Sequence, residues 1–122
     1  MWNRKGKWRP PRVRKSPVKH SDYRSNLERR YAEILEGRKI VGEIRMWLYE
    51  PASLQIGGGA RYTPDFLVFN LDGSVEFHEV KGFWREAAKV RLRVAIEKFP
   101  MFGFFVVTND RHRGFVIEKW SK

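Results

Sequence analysis

Two short stretches of the chain carry side chains that could hold a divalent cation beside a phosphodiester. Asp65 follows Pro64, and Glu79 and Lys81 come about one strand length later, in the sequence EVKG. Carboxylate oxygens are the ligands that hard cations such as Mg²⁺ prefer, and an ammonium group stabilises charge that develops on a phosphate. These residue types therefore suit metal-dependent hydrolysis of a phosphodiester bond.

Strand geometry predicts how these side chains meet. Side chains alternate along a strand, so Glu79 and Lys81 would project from one face while Val80 points to the other. If the strand that starts at Asp65 pairs with this strand as a hairpin, both carboxylates lie at the same end. The alternative is that Asp65 is an ordinary turn residue and that Glu79 and Lys81 are solvated. Phe77 on their face and the apolar helix that follows favour a site, because buried charges need a partner or a metal.

Glu28 is a candidate third carboxylate. On a helical wheel it lies beside Tyr31 and Leu35, at the margin of the apolar stripe, from where it could reach over a sheet edge toward a metal. A second interpretation is a capping box, in which Ser25 caps the helix and Glu28 bonds back to the Ser25 backbone. The two interpretations do not exclude each other, and both stand at this point.

The surrounding sequence predicts the elements that position these residues. Apolar spacing and turn residues indicate two helices, a hairpin joined near Asp72–Gly73, and further strands. The predicted helices are Ser25–Gly37 and Trp84–Phe99, and the predicted strands are Glu43–Tyr49, Leu54–Ile56, Arg61–Asn70, Ser74–Lys81, Phe102–Thr108 and Gly114–Trp120. The predicted order is one helix, three or four strands, a second helix and two strands. This order predicts an α/β (α+β) fold with a central mixed β-sheet flanked by helices and the element order αβββαββ.

Positive charge is concentrated at the start of the chain. The 122 residues carry a formal net charge of +11, and residues 1–20 hold eight basic side chains and no acidic one. We expect a basic tail over 1–20, either a solubilising arm or a nucleic-acid contact, and one domain over 21–122. A membrane is the less favoured partner because the tail has no amphipathic face. Its basic residues are Arg4, Lys5, Lys7, Arg9, Arg12, Arg14, Lys15 and Lys19.

Several classes of protein are disfavoured by composition. The chain has no cysteine, which excludes disulfides and thiolate metal sites. No apolar run approaches the length of a membrane span, and the basic start is not followed by an apolar signal-peptide region. We therefore expect a cytoplasmic protein.

Further contacts are predicted on the second helix. Lys89 and Arg93 are four residues apart beside its core stripe and could bind phosphates near the site, although solvated charges are an equal alternative. A smaller apolar stripe with Ala87, Val90 and Val94 lies nearly opposite the core stripe. It predicts a possible homodimer contact.

Together, these motifs resemble a known family. The sequences YTPDF and HEVKGFW, preceded by YRSNLE on a helix, are similar to the PD-(D/E)XK nuclease superfamily. Within it the chain most resembles small phage-encoded endonucleases of Holliday-junction resolvase type, over roughly residues 23–108. The resemblance implies a restriction-endonuclease-like core. It also implies an endonuclease that cuts branched or structured DNA in phage recombination or processing, in the host cytoplasm.

The resemblance also implies a role for each site residue. Asp65 and Glu79 would bind Mg²⁺ or Mn²⁺ with help from the Val80 carbonyl, Lys81 would serve the attacking water, and Glu28 would complete the acidic cluster at a second metal position. Resolvases of this type act as homodimers, since two symmetric cuts need two sites. This chain is shorter than they are, so its DNA specificity stays open. The alternative function is a non-catalytic DNA- or RNA-binding module that uses the basic tail.

Overall fold

Two helices and seven strands make up the regular structure of the described chain. The structure is a computed structural model that describes residues 5–6 and 23–121. The helices are α1 (Asn26–Ile40) and α2 (Glu86–Lys98). The strands are β1 (Ile44–Tyr49), β2 (Leu54–Gly57), β3 (Ala60–Tyr62), β4 (Phe66–Asn70), β5 (Val75–Val80), β6 (Gly103–Asp110) and β7 (Gly114–Trp120). Neither described helix is long and apolar enough to cross a membrane.

Helix α1 begins where its cap was predicted and runs one turn further. The Ser25 hydroxyl accepts a hydrogen bond from the Glu28 amide at 3.1 Å, which satisfies one of the free N–H groups of the first turn. Gly37 does not end the helix, which continues to Ile40. A glycine inside a helix costs only about 1 kcal/mol, which the buried face of α1 offsets.

Five strands form one mixed sheet in the order β1-β4-β5-β6-β7. Only β5 and β6 run parallel within it, and α2 makes the connection between them, as a parallel pair requires. The predicted central mixed sheet with two helices is confirmed. Strand β5 lies in the middle of this sheet, so residues at its end are covered on both sides.

The two helices cover opposite faces of the sheet, and side-chain alternation along β5 separates two cores. Phe77 packs with α2, whereas Val80 packs with α1. The core under α1 contains Tyr31, Ala32, Leu35, Ile44, Phe66, Val68, Val80 and Val107. The core under α2 contains Ile56, Tyr62, Phe77, Leu92, Ala95, Ile96, Phe104 and Val106.

The predicted strand over 61–70 is wrong in one respect, because it is divided in two. β3 ends at Tyr62 and β4 begins at Phe66, with Pro64 between them, which has no amide hydrogen for a strand ladder. β3 instead pairs with β2 in a separate small sheet, across a turn at Gly58 and Gly59, where φ is 60° and 77°. Five strands, not three or four, therefore lie between the helices. Asp65 precedes β4 and does not belong to a strand.

The second helix and the last strands also differ slightly from their predicted limits. α2 begins at Glu86, two residues later than predicted, after Arg85, which makes no side-chain cap hydrogen bond. β6 continues to Asp110, because the Asp110 carboxylate accepts hydrogen bonds from the amides of His112 and Arg113 and so organises the turn into β7.

A core substitution tests the packing under α1. Phe66 is fully buried and its ring packs against Tyr31, Trp47 and Tyr49. We expect Phe66→Ala to lower the free energy of unfolding by about 3–5 kcal/mol, measured by denaturant titration, because it leaves a cavity among these rings. Phe83→Ala is the control: Phe83 is 80% exposed, so its loss should change stability by less than about 0.5 kcal/mol. Equal effects of the two substitutions would contradict this packing.

Candidate metal and phosphate site

Asp65 and Glu79 hold each other in place at the end of the β4–β5 hairpin. The Glu79 carboxylate accepts a hydrogen bond from the Asp65 amide at 3.2 Å, and the Asp65 carboxylate accepts one from the Val80 amide at 2.8 Å. Both residues are only 4% exposed. The two predicted carboxylates therefore do converge, and each is fixed by the backbone beside the other.

Lys81 lies next to this pair. Its Nζ is 3.0 Å from Glu79 Oε2, as expected for two residues that share a strand face. Its amide donates to the Val107 carbonyl at 2.8 Å, which ties the residue after β5 to β6. The Lys81 ammonium also lies 5.7 Å from the centre of the Trp84 ring. The ammonium is thus held between a carboxylate and an aromatic face.

Glu28 reaches the same place from α1. Its backbone amide is capped by Ser25, while its carboxylate accepts a hydrogen bond from the Tyr49 hydroxyl. The Ser25 half of the predicted capping box is present, and the carboxylate is directed toward the sheet. One ligand oxygen each from Glu28, Glu50 and Asp65 lie within 4.8 Å of one another.

Glu50 is a carboxylate that the sequence analysis missed. It follows β1 directly, with φ of 42°, and its amide donates to the Asp65 carbonyl at 2.8 Å. Tyr49 pairs with Phe66 in the β1–β4 register, so the residues Glu50 and Asp65 are neighbours across the two strands. An acidic residue at the end of a predicted strand was the available signal, but the strand pairing was not predictable.

Arg24 brings a positive charge to these carboxylates and was also missed. Its Nη2 lies 2.6 Å from Glu50 Oε1 and 3.6 Å from Asp65 Oδ1. Its backbone amide donates to the Tyr49 hydroxyl at 3.2 Å. The Arg24 guanidinium therefore contacts two of the three clustered carboxylates.

A cavity of about 280 Å³ opens beside the acidic residues. Four basic side chains from the described part of the chain lie on its wall, and three of them, Arg24, Arg61 and Arg91, were not predicted. Among the described residues, its charged walls are Arg24, Arg61, Lys81, Arg91, Asp65 and Glu79. The cavity thus has an acidic floor, formed by Asp65 and Glu79, and a basic rim, formed by Arg24, Arg61, Lys81 and Arg91. This arrangement suits a phosphate group that a cation bridges to the carboxylates.

The predicted helix contacts Lys89 and Arg93 are not among the described residues that line this cavity. Lys89 Nζ pairs with Glu86 at 3.2 Å. Arg93 lies over the Trp120 ring and lines a separate cavity of about 700 Å³ between α2 and β7, together with Val90 and Val94. Arg91 occupies the position on α2 that faces the site.

Of the predicted basic tail over 1–20, the structure describes residues 5 and 6. Lys5 is described and exposed. The other predicted phosphate contacts lie outside the described residues, and their role stays a prediction. These are Arg4, Lys7, Arg9, Arg12, Arg14, Lys15 and Lys19.

Burial sets the charge state of the acidic pair. It raises the pKa of Asp65 to about 8, and the negative charge of Glu79 adds to the shift, while the Val80 amide and Lys81 oppose it. Burial also raises the pKa of Glu79, against the lowering effect of Lys81. Two buried carboxylates this close resist ionisation unless a cation joins them.

The donor set fits a hard divalent cation. Its side-chain ligands are all carboxylate oxygens, the type that Mg²⁺ and Mn²⁺ take. The buried Tyr62 hydroxyl lies beside Glu79, and its hydrogen bond lowers the pKa of that carboxyl. Burial, the negative charge of Glu79 and a hydrogen bond to Glu79 raise the pKa of Tyr62, so its hydroxyl stays protonated.

Replacement of Asp65 tests this electrostatic account. Its folded-state pKa lies above the ordinary value, so the folded protein holds a proton that the unfolded chain releases. Stability should therefore fall as pH rises from about 4 to about 8, by at most about 1.4 kcal/mol per pH unit. Asp65→Asn removes this loss. In EDTA, we expect Asp65→Asn to melt at a higher temperature than the parent protein, and the difference in melting temperature to be larger at pH 8 than at pH 5.

Asp72→Asn is the matched control. Hydrogen bonds from Ser74 lower the pKa of Asp72, so this variant should gain nothing at pH 8. Parallel stability curves for Asp65→Asn and the parent protein across this pH range would show that burial does not shift Asp65.

Comparison with known proteins identifies no relative of this chain. No protein-family model, curated protein or solved structure matches the chain. The function proposed below rests on the chemistry and geometry of the residues themselves, and on the motif resemblance described above.

Proposed function

We propose that this chain is a metal-dependent DNA endonuclease that hydrolyses phosphodiester bonds in the cytoplasm. The observation that carries the proposal is the acidic floor of Asp65 and Glu79, with Lys81 at 3.0 Å from Glu79, inside a cavity whose other charged walls are arginines. A surface that only bound nucleic acid would gain no affinity from buried carboxylates, because ionised carboxylates repel phosphate. Carboxylates beneath a basic rim suit a phosphate that is reached through a divalent cation.

The motif resemblance supplies the ligands proposed for that cation. Asp65, Glu79 and the Val80 carbonyl would hold Mg²⁺ or Mn²⁺, and Glu28 would complete the acidic cluster at a second metal position. When bound, the ion lowers the pKa of a coordinated water and offsets negative charge on the phosphate.

The protein's own groups would do the rest. Lys81, held by Glu79, is positioned to orient the attacking water or to stabilise charge that develops on the phosphate. Arg61 and Arg91, on the cavity wall, are positioned to bind neighbouring phosphates. The Tyr62 hydroxyl is a neutral donor beside Glu79.

The chain order of the main sheet supports the family resemblance. With the small β2–β3 sheet set aside, the chain passes through α1, β1, β4, β5, α2, β6 and β7. This order agrees with the αβββαββ arrangement of a restriction-endonuclease-like core. We extend the proposal on that basis to a PD-(D/E)XK nuclease that acts on branched or structured DNA in phage recombination or processing, as a homodimer.

A second candidate function has one observation in its favour. The Glu79 carboxylate accepts a hydrogen bond from the Asp65 amide, and the Asp65 carboxylate accepts one from the Val80 amide in β5, so both also serve the fold. A DNA- or RNA-binding module that uses the basic tail could keep them for that reason alone. Incubation of supercoiled plasmid and of junction, flap, duplex and single-stranded DNA with Mg²⁺, then with EDTA, separates the two functions. Binding without any cleavage would overturn the nuclease proposal.

Lys81→Ala tests the catalytic assignment. We expect DNA binding to be retained and Mg²⁺-dependent cleavage to slow by roughly 100- to 1000-fold, as when one preorganised donor to a transition state is lost. Single-turnover cleavage and a gel-shift titration measure the two effects. Lys119→Ala, which removes the same charge from β7 beside the other cavity, should cleave at the parent rate. Parent-like cleavage by Lys81→Ala would exclude Lys81 from the mechanism.

Deletion of residues 1–20 tests the tail. Each phosphate contact contributes about 0.9 to the slope of log affinity against log salt concentration. We expect the truncated protein to bind duplex DNA more weakly and with a shallower slope, measured by fluorescence anisotropy at several salt concentrations. If affinity and slope both stay at the parent values, the tail does not contact phosphates.

A further inference from the structure

The Arg24 side chain occupies an unusual position for an exposed cation. Its Nη2 lies 2.6 Å from Glu50 and 3.6 Å from Asp65, two members of the Glu28, Glu50 and Asp65 carboxylate cluster. The side chain is nevertheless 64% exposed. It reaches the cluster from the solvent side and stays mostly exposed.

The segment around Arg24 is held independently of that side chain. The Arg24 amide donates to the Tyr49 hydroxyl, which in turn donates to Glu28. This backbone bond survives any substitution of the Arg24 side chain. The guanidinium is therefore free to exchange partners while the chain before α1 stays in place.

Charge explains why the guanidinium lies there. Glu28, Glu50 and Asp65 bring carboxyl oxygens within 4.8 Å of one another, so the three groups repel each other strongly whenever all are ionised, and Asp65 is buried. A single guanidinium relieves part of this repulsion. A divalent cation carries twice the charge on a smaller radius and accepts all three oxygens at once, so it would compete for the same place.

We propose that the Arg24 guanidinium occupies the position of a divalent ion while no metal is bound. The ion displaces the guanidinium, which then binds a phosphate of the DNA. This inference rests on the proposed function and adds two assignments to it: Glu50 as a ligand of the ion, beside Glu28 and Asp65, and Arg24 as a phosphate-binding residue. Exposed ion pairs are weak, so the displacement costs little.

The displaced guanidinium needs a new anion, because arginine stays charged at any physiological pH. Arg24 lies on the wall of the cavity together with Arg61 and Arg91. Once the carboxylates bind the ion, a phosphate held at that rim is the anion within reach, and guanidinium binds phosphate through paired hydrogen bonds. Metal binding thus creates a DNA contact that is absent without metal.

The first experiment measures Mn²⁺ affinity without DNA, by isothermal titration calorimetry. Arg24→Gln should bind Mn²⁺ roughly fivefold more tightly than the parent protein, because its competitor is gone. Arg24→Lys, which keeps the charge, should bind close to the parent value. Arg91→Ala removes a charge from the same cavity wall, where Arg91 forms no ion pair with a described carboxylate, and should gain less Mn²⁺ affinity than Arg24→Gln. Thermal melting in EDTA confirms that each variant is folded.

The second experiment measures DNA affinity in the Lys81→Ala background, in which the DNA is not consumed. Mn²⁺ should strengthen DNA binding by this variant, and the addition of Arg24→Gln should reduce affinity in Mn²⁺ roughly tenfold while having little effect in EDTA. The sign of each change matters, since a purely structural arginine would weaken both interactions when removed.

The outcomes separate this inference from the nuclease proposal. Tighter Mn²⁺ binding by Arg24→Gln in a protein that cuts no substrate would support the exchange and overturn the nuclease. Unchanged or weaker Mn²⁺ binding by Arg24→Gln in a protein that does cut DNA would overturn the exchange alone. Absence of Mn²⁺ binding by both proteins would overturn the exchange as well.

Discussion

The reciprocal hydrogen bonds between Asp65 and Glu79 are the constraint on which the site depends. The Glu79 carboxylate accepts a hydrogen bond from the Asp65 amide, and the Asp65 carboxylate accepts one from the Val80 amide, so two neighbouring acids join the residue before β4 to the end of β5. These bonds offset part of the cost of burial but not the repulsion between like charges. Neighbouring cations reduce that repulsion: Lys81 pairs with Glu79, and Arg24 lies beside Asp65.

The sheet order explains why so many elements reach this point. β4 and β5 are both interior strands, and α1 and α2 cover opposite faces. α1 therefore contributes Glu28 from one side, and α2 contributes Arg91 from the other. The carboxylates lie at a buried strand end, while the arginines lie at the edge of the cavity. The topology thus places acidic side chains inside the cavity and basic side chains at its opening, and these side chains come from different elements.

Local periodicity was enough to predict the centre of the site but not its periphery. Alternation placed Glu79 and Lys81 on one face, and helical phase placed Glu28 toward the sheet, because both are properties of one element. Glu50 and Arg24 depend on the pairing of β1 with β4, which joins distant segments and leaves no local pattern. The choice of Arg91 over Lys89 and Arg93 depends on how α2 is rotated over the sheet. Pro64 was a visible signal for the break between β3 and β4 that the prediction did not use.

Direct location of the cation tests the central claim most sharply. Crystals of the protein soaked in Mn²⁺ and measured near the manganese absorption edge would show the ion as an anomalous peak. The account predicts a peak within coordination distance of the Asp65 carboxylate, about 2.0–2.3 Å, shared with Glu79 or with Glu28 and Glu50, and its loss in Asp65→Asn. If the soaked crystals show no anomalous manganese peak at Asp65, or show manganese only elsewhere, the assignment of this acidic cluster as a metal site is contradicted.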